Sequence, residues 1–198
     1  GDDTFTGVVS ATVRDAEQTI TCRMNDRSDK DGAQYALTFD DRTATLFQGN
    51  DSIRAGKFAF SFAVPKDLHY SDASALVNLY AVNTERTEIA NGWCDKFVAN
   101  GSDVADNDSI GPSIFCYLNS PSFVNGGKVN TTPYFVANIK DQDGLNASGS
   151  GIGHDMQLTI DGDMNKTYSL NDYFTFDFGS YTSGSTCYSL PELTPGKH

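Results

Sequence analysis

The stretch Lys57-Phe58-Ala59-Phe60-Ser61-Phe62-Ala63-Val64 sets Phe58, Phe60, Phe62 and Val64 at every second position, with small residues between them. Successive side chains of an extended chain point to opposite faces, so this period reads as a half-buried β-strand with an aromatic stripe, ended by Pro65. Val9, Ala11 and Val13 alternate in the same way, as do Met156, Leu158 and Ile160. Leu76–Val82 is apolar on both faces, the pattern of a central strand. No long helical period competes with these runs. Turn chemistry separates them at Ala55-Gly56, Asp143-Gly144, Asp161-Gly162 and Pro195-Gly196. The fold class that follows is all-β.

A chain of 198 residues is long for one β-sandwich and suits two of ~100 residues each. Between the halves runs Asn100-Gly-Ser-Asp-Val-Ala-Asp-Asn-Asp-Ser-Ile-Gly-Pro112, a polar, acidic stretch that offers no core face and ends in a helix-disfavouring proline. We therefore expect two tandem immunoglobulin-like β-sandwiches, over residues 2–102 and 111–198, joined by a linker at 103–110. Gly1 reads as a remnant of tag removal, and the chain as a piece of a longer protein.

With 38% hydrophobic and 12% aromatic residues, the chain can build ordinary cores. Its charge of −12 repels nucleic-acid phosphate and anionic lipid, so nucleic acid is not expected as a partner. No run approaches the ~18–20 apolar residues of a membrane span, and no direct membrane insertion is expected. Cys22, Cys94, Cys116 and Cys187 form no CxxC pair, and His69, His154 and His198 are scattered, so neither a metal nor another cofactor is implied. Two cysteines fall in each half, which permits one bridge per domain. Cys22 alternates with Ile20 and Met24, and Cys116 with Ile114 and Leu118, which favours free thiols packed as small hydrophobes.

From Gly111 onward the chain contains Gly111-Pro112-Ser-Ile114-Phe-Cys-Tyr-Leu118-Asn119, Ile139-Lys-Asp141-Gln-Asp143-Gly144-Leu145-Asn146 and Ser148-Gly149-Ser-Gly151-Ile152-Gly153-His154-Asp155. Leu170-Asn171-Asp172-Tyr173, Tyr181, Gly184 and Leu193-Thr-Pro-Gly196-Lys-His198 continue the pattern, and Leu46-Phe47-Gln-Gly49, Gly56–Asp67 and Leu79-Tyr80-Ala81 extend it more loosely into the first half. These runs resemble the region downstream of the peptidase domain in PorU-type proteins, the gingipain-like cysteine peptidases that act as sortases of the type IX secretion system. The resemblance implies a parent at the surface of a Gram-negative bacterium that removes sorting domains from secreted cargo and joins the cargo to an anchoring lipid. Its catalytic Cys and His would lie upstream, so no catalytic residue carries over to this chain. In the family, the turn at Gly196-Lys197-His198 leads into a further strand. The second sandwich is therefore expected to lack its last strand and to present an open edge.

Several constellations could carry chemistry. His154-Asp155 invites a catalytic reading, but adjacent residues entering a strand point to opposite faces, and a glycine-defined loop held by His154 is the favoured account. Asp141, Asp143 and Asn146 resemble the front of a calcium loop, with Asp161-Gly162-Asp163 as a further source of ligands. The closing glutamate and flanking helices of such a loop are missing, which favours Asx-stabilised turns. Phe58, Phe60 and Phe62, and likewise Tyr173, Phe174, Phe176 and Phe178, could stack on sugars, although their alternation favours the core. Trp93, the sole tryptophan, reads as an inter-sheet plug. Asn-x-Ser/Thr sequons begin at Asn50, Asn100, Asn107, Asn130, Asn146 and Asn165. Asp51-Ser52-Ile53 and Asp108-Ser109-Ile110 look more like bacterial O-glycan acceptors.

The function expected is that of a non-catalytic accessory or spacer module, with the upstream peptidase domain and downstream sorting domain of its own chain as partners, together with secretion-system surface proteins. The alternative is an adhesin-like module that binds glycan or cargo. A wide exposed aromatic patch beside convergent polar groups would favour the alternative.

Overall fold

In the strand Gly7–Arg14 (β1), Val9, Ala11 and Val13 are buried at 1%, 2% and 0% exposure while their neighbours face outward. A computed structural model describes residues 2–22, 36–64, 72–99, 110–149 and 155–198. Around β1 it places Thr45–Ile53 (β4), Leu76–Asn83 (β5) and Ile89–Cys94 (β6) in an antiparallel sheet of order β4-β1-β5-β6. Gln18–Thr21 (β2) and Thr38–Asp41 (β3) form a separate hairpin pair. Leu76–Val82 lies inside the sheet, between β1 and β6, the central place expected of it, although Asn78 and Tyr80 on its outer face are exposed.

A second four-stranded antiparallel sheet has the order β11-β12-β8-β7. It is built from Ser113–Leu118 (β7), Tyr134–Lys140 (β8), Thr175–Phe176 (β11) and Ser183–Ser189 (β12). Gln157–Thr159 (β9) and Thr167–Ser169 (β10) pair as a two-stranded unit beside it. The described residues contain no α-helix, only 3-10 turns at Met164–Lys166 and Asn171–Tyr173. The architecture is thus all-β, with several antiparallel sheets and none closed into a barrel.

Ala55 and Gly56 both have positive φ (50° and 70°), and Arg54 and Lys57 exchange backbone hydrogen bonds of 2.9 and 3.0 Å across them. This is the I′ geometry that matches the twist of a hairpin. Asp161 and Gly162 repeat it at 56° and 69° between β9 and β10.

The aromatic stripe corrects one expectation. Residues 58–64 are extended but join no strand ladder. Ring centroids of Phe58–Phe60 and Phe60–Phe62 lie 6.5 and 6.4 Å apart, the advance of two extended residues at ~3.3 Å each. Among the described residues the stripe is held by ring contacts. Phe60 and Phe62 stack on buried Phe47 at 5.7 and 5.6 Å, while Phe58 is 42% exposed. Alternation selects which face is buried, and here a ring stack satisfies it.

Phe47 also stacks on Phe176 at 5.0 Å, and Phe176 packs edge-on against Phe174 at 5.0 Å. The largest buried cluster therefore joins Ala11, Val13, Leu46 and Phe47 of the first half to Ile139, Leu145, Phe174 and Phe176 of the second. The rings are seated on glycines: a Cβ on Gly49 would meet the Phe47 ring at 2.5 Å, and one on Gly184 would meet the Phe174 ring and the Thr175 carbonyl. The backbone N–H of Gly179 donates to the Asn50 carbonyl at 2.9 Å, a further link between the halves. Residues 100–109, which hold most of the expected linker, lie outside the described residues.

The cysteines are free, as favoured, but not buried: Cys22 and Cys187 are half-buried, and Cys94 and Cys116 are exposed. The reason is position. Cys94 and Cys116 sit on β6 and β7, edge strands whose residues are largely exposed. The second sheet has edges at β7 and at the two-residue β11, which pairs only with Gly184 and Ser185 of β12. β12 lies between β11 and β8, with Ser183–Ser189 paired to β8 throughout.

Candidate functional site

The strands bring the candidate residues to four places. The Asp141 turn lies where β8 ends. Asp141 Oδ1 accepts the Asp143 backbone N–H at 3.0 Å, and Asn146 Oδ1 accepts the N–H and hydroxyl of Ser148 at 3.0 and 2.7 Å. Asp163 Oδ1 accepts both the backbone and the side-chain N–H of Asn165 at 3.0 Å. These oxygens are spent on their own turns, the Asx geometry favoured by the sequence. Among the described residues no three metal-ligating side chains converge.

The second place is the junction cleft, lined by Arg14, Thr45, Gln48, Asn171 and Asp172 above the rings of Phe47 and Phe174. Its volume of about 240 Å³ is below the ~300–1,000 Å³ of ligand pockets. Asn171 organises it. Its Oδ1 accepts the Met156 N–H at 3.0 Å, its Nδ2 donates to the Ala147 carbonyl at 3.3 Å, and a Cβ on Gly149 would collide with its side-chain amide. The buried Thr186 hydroxyl adds a bond to the Leu170 carbonyl at 3.1 Å. His154 lies outside the described residues; in the described structure, Asn171 is the residue tied to the loop's flanks.

Third, His198 Nδ1 lies 3.0 Å from Asp161 Oδ2 and Nε2 lies 2.7 Å from the Thr194 carbonyl. Both neighbours are acceptors, so the ring is satisfied only when both nitrogens carry protons. The bond to Asp161, with that to the Thr194 carbonyl, raises the imidazole above its ordinary value. A ring so held cannot serve as a general base through Nε2. Desolvation pushes the Cys116 thiol up, away from the thiolate a nucleophile needs.

The fourth place was missed by sequence reasoning. Strand register sets the outer face of the first sheet in three rows. One row reads Gln48, Thr12, Asn78, Trp93. The next reads Asn50, Ser10, Tyr80, Asn91, with the Ser10 hydroxyl donating to Asn50 Oδ1 at 2.6 Å. The third reads Ser52, Val8, Val82, Ile89. Trp93 is 67% exposed and Tyr80 49% exposed, so Trp93 is not an inter-sheet plug. It stands opposite Asn78 on the solvent side of an edge strand, while Val9, Ala11 and Val13 carry the core on the other face. The second aromatic cluster divides, with Phe174 and Phe176 in the core and Tyr173 and Phe178 outside; Phe178, which alternation would put with the buried pair, lies beyond the two-residue β11 and is exposed. Asp51-Ser52-Ile53 is in β4 with Ile53 buried, while Asp108 and Ser109 are outside the described residues.

Sequence reasoning also passed over Asp15 and Arg42. Asp15 is 1% exposed and accepts the Ala16 N–H at 2.7 Å. Arg42 Nη1 donates to the carbonyls of Asp15 and Ser74 at 2.8 and 2.6 Å, bracing the end of β1.

Fold and surfaces together define an all-β chain of open antiparallel sheets joined through an aromatic core, with no helix among its described residues long and apolar enough to cross a membrane. No protein-family model and no curated protein matches it. Among solved structures it is similar to dimeric latent PorU from Porphyromonas gingivalis, at 33% identity and a TM-score of 0.52. The match covers 98% of this chain and 18% of that one, so the chain spans under a fifth of its neighbour's length.

Proposed function

We propose that this chain is a non-catalytic spacing and bracing module of a PorU-related protein of type IX secretion, exposed at the surface of a Gram-negative bacterium. It would hold an upstream cysteine peptidase domain at a set distance and angle from a downstream sorting domain, within reach of secretion-system surface proteins. The observation that carries this reading is the 33% identity to PorU along 98% of the chain. The junction supports it physically. A spacer must resist bending, and the stacking of Phe47 on Phe176, with both rings about 4% exposed, gives two sheets a shared core. The engaged nitrogens of His198 and the raised Cys116 thiol support the absence of catalysis.

The test is an exchange within the open reading frame that encodes the chain. Deleting the module is expected to leave cargo with its sorting domain uncleaved, and an unrelated rigid tandem β-sandwich of equal span is expected to restore cleavage. Cleavage of a sorting-domain substrate by the isolated 198-residue chain, lost on Cys→Ala substitution, would overturn the reading. So would failure of the rigid replacement.

A further inference from the structure

We infer that the outer face of the first sheet is a binding platform for a neutral polysaccharide, with the rings of Trp93 and Tyr80 as its stacking surfaces. The inference is independent of the secretion reading above.

It begins with the strand register. Trp93 lies opposite Asn78, and Tyr80 lies opposite Asn91, so each ring has an amide as its direct cross-strand neighbour. The two rings are diagonal neighbours, ~7–8 Å apart along the backbone and close enough for one oligosaccharide to lie across both. An aromatic face carries negative charge density, while the C–H face of a pyranose is apolar and weakly positive, so the two stack. Each Asn side chain offers two donors and an acceptor, which matches the paired hydroxyls at a sugar's rim. Ser10 and Asn50, bonded to one another, extend the polar surface beyond Tyr80.

Charge selects among ligands. None of the twelve side chains in the three rows bears a charge at neutral pH, in a chain of which 20% is charged and whose net charge is −12. An acidic polymer would be repelled by the net charge, and the cations on this face, Arg14 and Arg54, stand at its margins outside the three rows. A protein partner fits less well, because stable protein interfaces engage ~20–30 residues a side around an apolar centre. Here Trp93 (67%), Ile89 (66%) and Tyr80 (49%) are the exposed apolar groups, Val8 and Val82 are half-buried, and the other seven positions are amides and hydroxyls. A flat, uncharged, amide-studded aromatic face suits a sugar chain.

Because Trp93 is the only tryptophan, its emission reports this face alone. The experiment combines native electrophoresis of the 198-residue chain through gels holding soluble galactomannan, β-glucan, xylan or dextran with Trp93 fluorescence titration by the same polymers. At least one polymer is expected to retard the chain and shift Trp93 emission to the blue, with no loss on raising salt. Trp93→Ala and Tyr80→Ala should each weaken retardation about tenfold. Trp93→Phe, which keeps a ring and tests the site without emptying it, should retain part of it, and Phe115→Ala on β7 should change nothing. Normal migration in every gel would overturn the inference, as would retardation unchanged in Trp93→Ala. So would a blue shift produced by concentrating the protein alone, which would assign the face to a second copy of the chain.

Discussion

Replacing Phe47 by alanine is expected to loosen not only β1, β4 and β5, which surround it, but also β12 in the other half of the chain. Phe47 is 4% exposed and touches three rings, two of them from residues 58–62 and the third from Phe176. Emptying such a site costs ~3–5 kcal/mol, because the lost transfer energy is joined by that of an incompletely filled cavity. If the shared cluster makes the halves one cooperative unit, that loss lowers the free energy of the opening through which β12 amides exchange. Exchange at Ser183–Ser189 should then quicken by about two to three and a half orders of magnitude. Phe176→Ala should do the same to Gly7–Arg14. Phe47→Leu, which conserves most of the volume and costs under ~1.5 kcal/mol, should quicken β12 by up to about tenfold and guards against an alanine variant that does not fold. Hydrogen exchange read by mass spectrometry resolves these strands. Acceleration confined to β1, β4 and β5, with β12 unchanged, would refute the reasoning and return the division at 103–110 to two independently stable domains.

Arg42→Ala should destabilise by ~1.5–3 kcal/mol in urea denaturation, since it strips the carbonyls of Asp15 and Ser74 of a charged donor, and Arg42→Lys should recover less than half, lacking the planar fork. The His198 imidazole is raised in the fold, so the stability it confers on the C-terminal turn is complete below the ordinary histidine value of 6.5 and disappears as pH rises through the raised value. An NMR titration should show that elevation and its loss in Asp161→Asn; an unshifted wild-type midpoint would exclude the pairing. Chelation should move the melting temperature by less than a few degrees, because Asp141, Asn146 and Asp163 already accept hydrogen bonds within their own turns; a larger drop would revive a calcium site there.

Much of the fold was legible because period-two patterns report burial directly. Val9, Ala11 and Val13 form the core face of β1, and Leu76–Val82 became an interior strand. Turn dipeptides were legible because they answer to local φ, as at Ala55-Gly56 and Asp161-Gly162. What failed to show was the pairing partner. Alternation in 58–64 stated that a face is buried, but not that rings rather than strands would bury it. The link between halves was hidden for the same reason, since Phe47 and Phe176 are far apart in sequence and each alone reads as an ordinary core residue. Cys116 alternates like a core residue yet lies on an edge strand, and edge position is a property of the sheet rather than of the strand.

Trp93 carries that distinction furthest. A lone tryptophan between two short apolar runs is assigned to the core on composition, because large rings bury most surface. The register decides otherwise. Asn78 and Asn91 share its face, and on the same face Ser10, Thr12, Asn50 and Gln48 continue the polar rows across β1 and β4. A plug would need apolar neighbours on all of those positions, because a buried amide without partners costs ~1–3 kcal/mol and several of them would outweigh the gain from one indole. The polar residues opposite Trp93 thus held the information, but it could be read only after the strands were aligned. An exposed indole flanked by amides is then a surface whose use must be sought in solvent, in what the first sheet meets there, and not in what it holds together.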